Sequence, residues 1–116
     1  MAEAIARARF IPLAPRKVRL VADQIRGKKV DEARATLAFT VKGAAPVLAK
    51  LLASAVANAE SKAAETRQRI DTDEMVVRQV LVNGGPSMKR RLSAPRGRPT
   101  MIRKRMSHIE LVISDS

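Results

Sequence analysis

Nine Lys or Arg and not one Asp or Glu occupy the 35 residues from Met75 to Ile109: Arg78, Lys89, Arg90, Arg91, Arg96, Arg98, Arg103, Lys104 and Arg105. Cations at this density repel one another in isolation, so the chemistry open to them is the neutralisation of a polyanion. Seven of the nine are Arg. A planar guanidinium grips phosphate through two parallel N–H donors and stacks on an exposed base, which an ammonium cannot do. Other chemistries find little to work with. His108, the one histidine, would need an orienting partner and a substrate site to act as acid or base. With no acidic residue between Glu74 and Glu110, RNA contact or strand packing suits it better, and no enzyme is expected. Asp71, Asp73 and Glu74 lack the glycine and distal glutamate of a calcium loop, so a solvated turn is expected there, with no metal or cofactor. Met88, Met101 and Met106 suit adaptable packing against RNA or neighbouring strands. No phosphate-cradling GxxxxGK loop occurs.

The charge is unevenly spread over the 116 residues: +6 over 1–30, −1 over 31–74, +9 over 75–109 and −2 over the last seven. A nearly neutral middle between two basic zones, at a pI near 11.4, points to a nucleic-acid partner. The N-terminal zone contributes Arg7, Arg9, Arg16, Lys17, Arg19, Arg26, Lys28 and Lys29. Each also has a plain reading: exposed helix face for Arg16, Lys17 and Arg19, helix-end cation for Lys28 and Lys29. Absence of cysteine excludes disulfides and Cys-based zinc sites. The longest apolar run, Leu51 to Ala57, is broken by Ser54 and too short to span a bilayer. The first residues form no secretory signal. A cytoplasmic protein of one domain, with no membrane partner, is expected.

The elements that must position these side chains follow from periodicity. Ala4, Ala6, Ala8 and Phe10 alternate with Ile5, Arg7 and Arg9, which predicts a short strand with one basic face. Pro15 opens a helix whose stripe is Val18, Val21, Ala22 and Ile25, and Gly27 ends it. Asp31 is the expected N-cap of a second helix, with Ala33, Leu37 and Val41 on one side. A third begins around Gly43 to Pro46 and runs to about Ala64, with a wide stripe of Leu48, Leu51, Leu52, Ala55, Val56 and Ala59. Residues 65–74 are a polar loop. Met75 to Asn83 and Ile102 to Ser114 read as strands, with Gly84, Gly85 and Pro86 bending the first and Pro95, Gly97 and Pro99 marking a turn between them. A hairpin turning near Ala94 has limbs of about 18 residues, roughly 60 Å at about 3.3 Å per residue, so it must project from the body. Isolated two-stranded ribbons are marginal in water. The distal arm, about residues 86–101, is therefore expected to be mobile alone and ordered by RNA.

Two blocks then become recognisable together. Pro15-Arg16-Lys17-Val18-Arg19-Leu20-Val21 with Ile25-Arg26-Gly27-Lys28 resembles the signature of the bacterial large-subunit ribosomal protein L-twenty-two family. Gly85-Pro86-Ser87-Met88-Lys89-Arg90, Arg96-Gly97-Arg98, Ile102-Arg103-Lys104-Arg105 and Ser107-His108-Ile109 are similar to its hairpin, and Ser54 to Glu60 to its long helix. The sequence departs from that pattern at Ala14, at Asn83-Gly84 and in the placing of the tip prolines. The resemblance implies an α+β fold: three helices packed on a small three-stranded antiparallel sheet, with a long protruding β-hairpin. It implies a body of about residues 1–82 plus 107–116 and an arm of about 83–106. It further implies binding to 23S ribosomal RNA, a part in early subunit assembly, and a hairpin tip lining the peptide exit tunnel. On that basis RNA contacts are expected from the basic residues named above outside the tip, together with Met88 and His108. Leu92, Ser93, Ala94, Pro95, Arg96, Gly97 and Arg98 would form the tunnel-lining tip. Neighbouring large-subunit proteins and the nascent peptide would be the other partners. The competing expectation, from charge and ribbon geometry alone, is an architectural DNA-binding protein that inserts a β-ribbon arm into the minor groove.

Overall fold

The structure is a computed structural model that describes residues 3–67, 69–86, 88–93 and 99–115, the backbone alone over 88–93 and 99–104. Strand β1 (Glu3–Ile11) leads through Pro12 to helix α1 (Pro15–Ile25), followed by α2 (Val30–Phe39) and α3 (Ala44–Thr66). A 3₁₀ turn at Thr72–Glu74 then leads to strands β2 (Val76–Gly84), β3 (Met88–Ser93), β4 (Pro99–Lys104) and β5 (Ser107–Ser114). The three-stranded sheet has the order β1-β5-β2 and both pairings are antiparallel; β3 and β4 form a second, two-stranded antiparallel sheet. Three helices on one face of an antiparallel sheet make the fold α+β.

The helices cover the inward row of the sheet. Ala4, Ala6, Val77, Val80, Val82, Ile109, Leu111 and Ile113 are buried there against Val18, Val21, Ile25, Leu48 and Leu52. Alanines on β1 and on α3 let the longest helix lie close to that strand. α1 ends where its pattern stops: Gly27 has φ +83, a left-handed conformation that a Cβ would penalise. α3 closes through Arg67 at φ 55, whose N–H bonds back to Ala63 and Ala64.

Three boundaries differ from expectation. α2 starts at Val30, one residue before the expected cap Asp31, because Val30 is fully buried and its N–H bonds to Met75 O at 2.8 Å. Asp31 instead accepts from the Glu32 N–H. Val41 leaves the helix and stands 96% exposed. The long return strand expected over 102–114 is interrupted at Arg105-Met106, where Gly85 N–H bonds to Met106 O at 2.8 Å. That pinch separates the body sheet from the distal ladder. The radius of gyration is 17.5 Å with extents of 66 × 27 × 16 Å, against about 13 Å for a compact chain of this length.

Both edge strands of the body sheet are covered by helix side chains. Asn58 Nδ2 and Lys62 Nζ, four residues apart on α3, donate to Ile5 O and Glu3 O on β1. Their rise along the helix, about 6 Å, matches the two-residue step of a strand. On the opposite edge, Arg26 Nη2 donates to Val80 O at 2.7 Å, and Arg19 Nε and Nη2 donate to Val82 O at 3.2 and 2.9 Å. The Gly27 N–H donates to Val77 O, and the Val77 N–H donates to Lys28 O, which completes that edge. Exposed strand edges invite pairing with other chains, and here the carbonyls are occupied.

Candidate nucleic-acid interface

The body cations expected to contact RNA divide into two sets. Arg19 and Arg26 are committed to β2 carbonyls, and Arg26 also pairs with Asp23. Arg7 pairs with Glu110 at 3.4 Å, Arg78 with Glu3 at 3.2 Å and Lys29 with Glu74 at 3.1 Å, while Lys28 Nζ donates to Thr36 Oγ1. Glu74, by hydrogen bond and charge, raises the Lys29 pKa above its ordinary value. Asp73, expected in a solvated turn, accepts from Arg34 at 3.2 Å. Arg9, Arg16, Lys17 and Arg105 form the second set. They are exposed and have no polar partner among the described residues.

Arg16 and Arg105, far apart in sequence, line one open cleft of about 570 Å³ with Pro15, Arg19, Gly84, Gly85 and Met106. It lies where the first turn of α1 meets the pinch below the distal ladder. Ala14 caps α1 without a side-chain bond and no acid stands in its first turn, so the helix dipole adds to the guanidinium charge. The cleft is suited to a phosphate and to nothing that carries positive charge.

In the distal ladder the register sets Met88 opposite Lys104, Lys89 opposite Arg103, Arg90 opposite Ile102 and Arg91 opposite Met101. Leu92 and Ser93 end β3, opposite Thr100 and Pro99. Ala94, Pro95, Arg96, Gly97 and Arg98 lie outside the described residues. Like charges directly opposite each other destabilise a strand pair. The Lys89–Arg103 pairing lies in a stretch with no carboxylate from 75 to 109, so nothing within that stretch offsets it.

His108 belongs to the pinch. Its Nδ1 accepts from the Phe10 N–H at 3.1 Å, which leaves the proton of a neutral ring on Nε2. Beside it, a Cβ on Gly85 would come within 3.3 Å of the His108 ring and of Met106 O. Ser107 Oγ, fully buried, donates to Leu13 O at 2.6 Å. These contacts tie the start of the arm to the segment before α1.

Phe10 is where the strand alternation misleads. Alternation puts it in one row with Ala4, Ala6 and Ala8, and Ala4 and Ala6 are buried, yet Phe10 is 58% exposed. The β1–β5 register shifts between Ala8 and Ile11, and Phe10 takes φ 56. For a bulky residue that conformation costs about 1 kcal/mol or more. The bulge turns the ring outward to meet His108 edge-on, with centroids 5.0 Å apart and planes at 89°. Arginine, proline and phenylalanine crowded into residues 9–12 were the available signal.

The sequence matches the model of the ribosomal protein L22p/L17e family over residues 6–114. The chain belongs to that family. It is similar to the large ribosomal subunit protein uL22 of Clostridioides difficile, 44% identical over 113 residues covering 97% of both chains. It is 47% identical to the protein of that name from Desulforamulus reducens, over 97% of this chain and 96% of the relative. The figure is 50% for that of Staphylococcus haemolyticus, over 97% and 92%. The L22p/L17e match spans body and ladder together, so the cleft and the pinch lie inside the matched region. Among the described residues no helix is long and apolar enough to cross a membrane.

Proposed function

We propose that this chain is a structural, non-catalytic constituent of the large ribosomal subunit in the cytoplasm, binding 23S ribosomal RNA through its distal ladder and the cleft at its base. The observation that carries the reading is the ladder register. Lys89 lies opposite Arg103 in the register of a ribbon whose only strand partner among the described residues is its own second limb, so the ribbon is suited to persist where phosphates surround it. Arg105 at the base of the arm, with Arg16, Lys17 and Arg9, extends the contact onto the body. Met88 and His108 sit at the base of the arm, where packing rather than charge is their contribution. In this reading the arm spans about residues 83–106 and the body the remainder, and the family supports a part in early assembly. The tip, residues 92–98, is assigned to the wall of the peptide exit tunnel, beside the nascent peptide, with neighbouring large-subunit proteins against the body.

Binding of the full chain to large-subunit RNA and to duplex DNA, at equal salt near 0.15 M, tests the reading. Each neutralised phosphate contributes about −0.7 to −0.9 to the slope of log K against log salt. Tighter binding to ribosomal RNA with a steep slope is expected. Tighter binding to DNA would favour an architectural DNA-binding protein instead.

A further inference from the structure

We infer that the bulge at Phe10 presents a stacking platform for one unpaired RNA base, with Arg9 holding a flanking phosphate. This rests on the RNA-binding reading above and adds to it a type of contact: a base held by its face, rather than a backbone held by its charge.

Among the described residues no helix packs on the outer face of the body sheet. On it, Phe10 and His108 line an open depression of about 310 Å³ with Arg7, Arg9, Asn83 and Glu110 at its rim. Burial would normally claim a phenylalanine, and ordinary strand geometry would have placed this one inward. The chain instead adopts a left-handed backbone and a register shift that together leave the ring exposed. His108 supports the ring from one side and is itself held by the Phe10 N–H and packed against Gly85. A half-exposed aromatic ring on an open sheet face is an arrangement by which single-stranded RNA is recognised, because every base has a π-face.

The rim favours a nucleotide over an apolar protein side chain. Glu110 is engaged by Arg7, so the one carboxylate there is neutralised. Arg9 has no polar partner among the described residues, and Asn83, opposite His108 in the register, is likewise exposed and unpartnered, free to bond a base edge. One aromatic face, one free guanidinium and one free amide match a base, its phosphate and its hydrogen-bonding edge.

The chain contains no Trp and no Tyr, so Phe10→Trp creates a single fluorophore in the full-length protein. It is titrated with a mixed-sequence single-stranded oligoribonucleotide and with a duplex RNA of equal length, labelled so that affinity is read separately. Strong quenching by the single strand and little by the duplex is expected. Phe10→Ala should weaken single-strand binding about 5- to 100-fold, and Phe10→Tyr should retain it. RNA binding with Trp emission unmoved and Phe10→Ala at wild-type affinity would overturn the platform while leaving the RNA-binding reading intact. Emission that responds only to another ribosomal protein would overturn it in favour of a protein contact. Absence of any RNA binding at low salt would remove both readings. Should Phe10→Ala fail to fold by circular dichroism, the fluorescence arm decides alone.

Discussion

Arg19 and Arg16 lie three residues apart on α1 in the same basic run, yet replacing each with alanine should have opposite consequences. Arg19 sends two N–H donors to Val82 O. Hydrogen bonds from charged groups contribute about 1.5–3 kcal/mol, and at a half-exposed edge where water replaces part of the loss, about 1–1.5 kcal/mol is expected for Arg19→Ala. With some 4 °C per kcal/mol at this chain length, the melting temperature should fall by about 4–6 °C. The salt dependence of RNA binding should stay near wild type, because that guanidinium already has its partner. Arg16, exposed in the cleft with no polar partner among the described residues, should behave the other way. Arg16→Ala should leave the melting temperature within about 1 °C, as surface substitutions do, and flatten the log K against log salt slope by about 0.7–0.9, one phosphate contact. Calorimetry and salt titrations on the two variants measure both quantities. An Arg19→Ala protein of unchanged stability and flattened slope, or an Arg16→Ala protein with the slope of wild type, would refute the division of the cations into edge clamps and phosphate ligands.

Leu52 is fully buried in the core cluster, and Leu52→Ala should cost about 2–5 kcal/mol in chemical denaturation through the cavity it leaves. Gly27→Ala meets open space but must adopt φ +83, so a loss of about 1 kcal/mol is expected from backbone strain alone. The Lys29–Glu74 pair raises the Lys29 pKa above 10.5. A raised cation pKa means that the pair's contribution is complete below about 10.5 and disappears as pH rises through the higher folded value. The stability difference between wild type and Glu74→Gln should therefore be flat from pH 7 to 9, shrink with salt and be lost as the pH rises into strong alkali; a difference already lost on raising the pH from 7 to 9 would contradict the pairing.

Much of the fold was legible in the sequence because the core stripes are strongly periodic. Val18, Val21, Ala22 and Ile25 sit where spacing put them, and so do the leucines of α3. What escaped were features decided by long-range partners. Val30 begins α2 because Met75, 45 residues away, accepts its N–H. Arg19 and Arg26 read as surface cations because nothing local reveals that a strand edge lies within reach. Phe10 read as sharing the row of Ala4 and Ala6 because strict alternation cannot anticipate a bulge. The basic surface was legible as charge, but which of its cations remain free was not. That depends on Glu3, Glu74 and Glu110, each brought to its partner by the fold.

The central claim is that the acid-free ladder runs through ribosomal RNA. A photo-crosslinker placed at Arg91 or Arg103 in the full chain, incorporated into assembled large subunits and read at nucleotide resolution, tests it most directly. Crosslinks to nucleotides from several separate domains of the large-subunit RNA are predicted, and crosslinks confined to one exposed surface helix would contradict it.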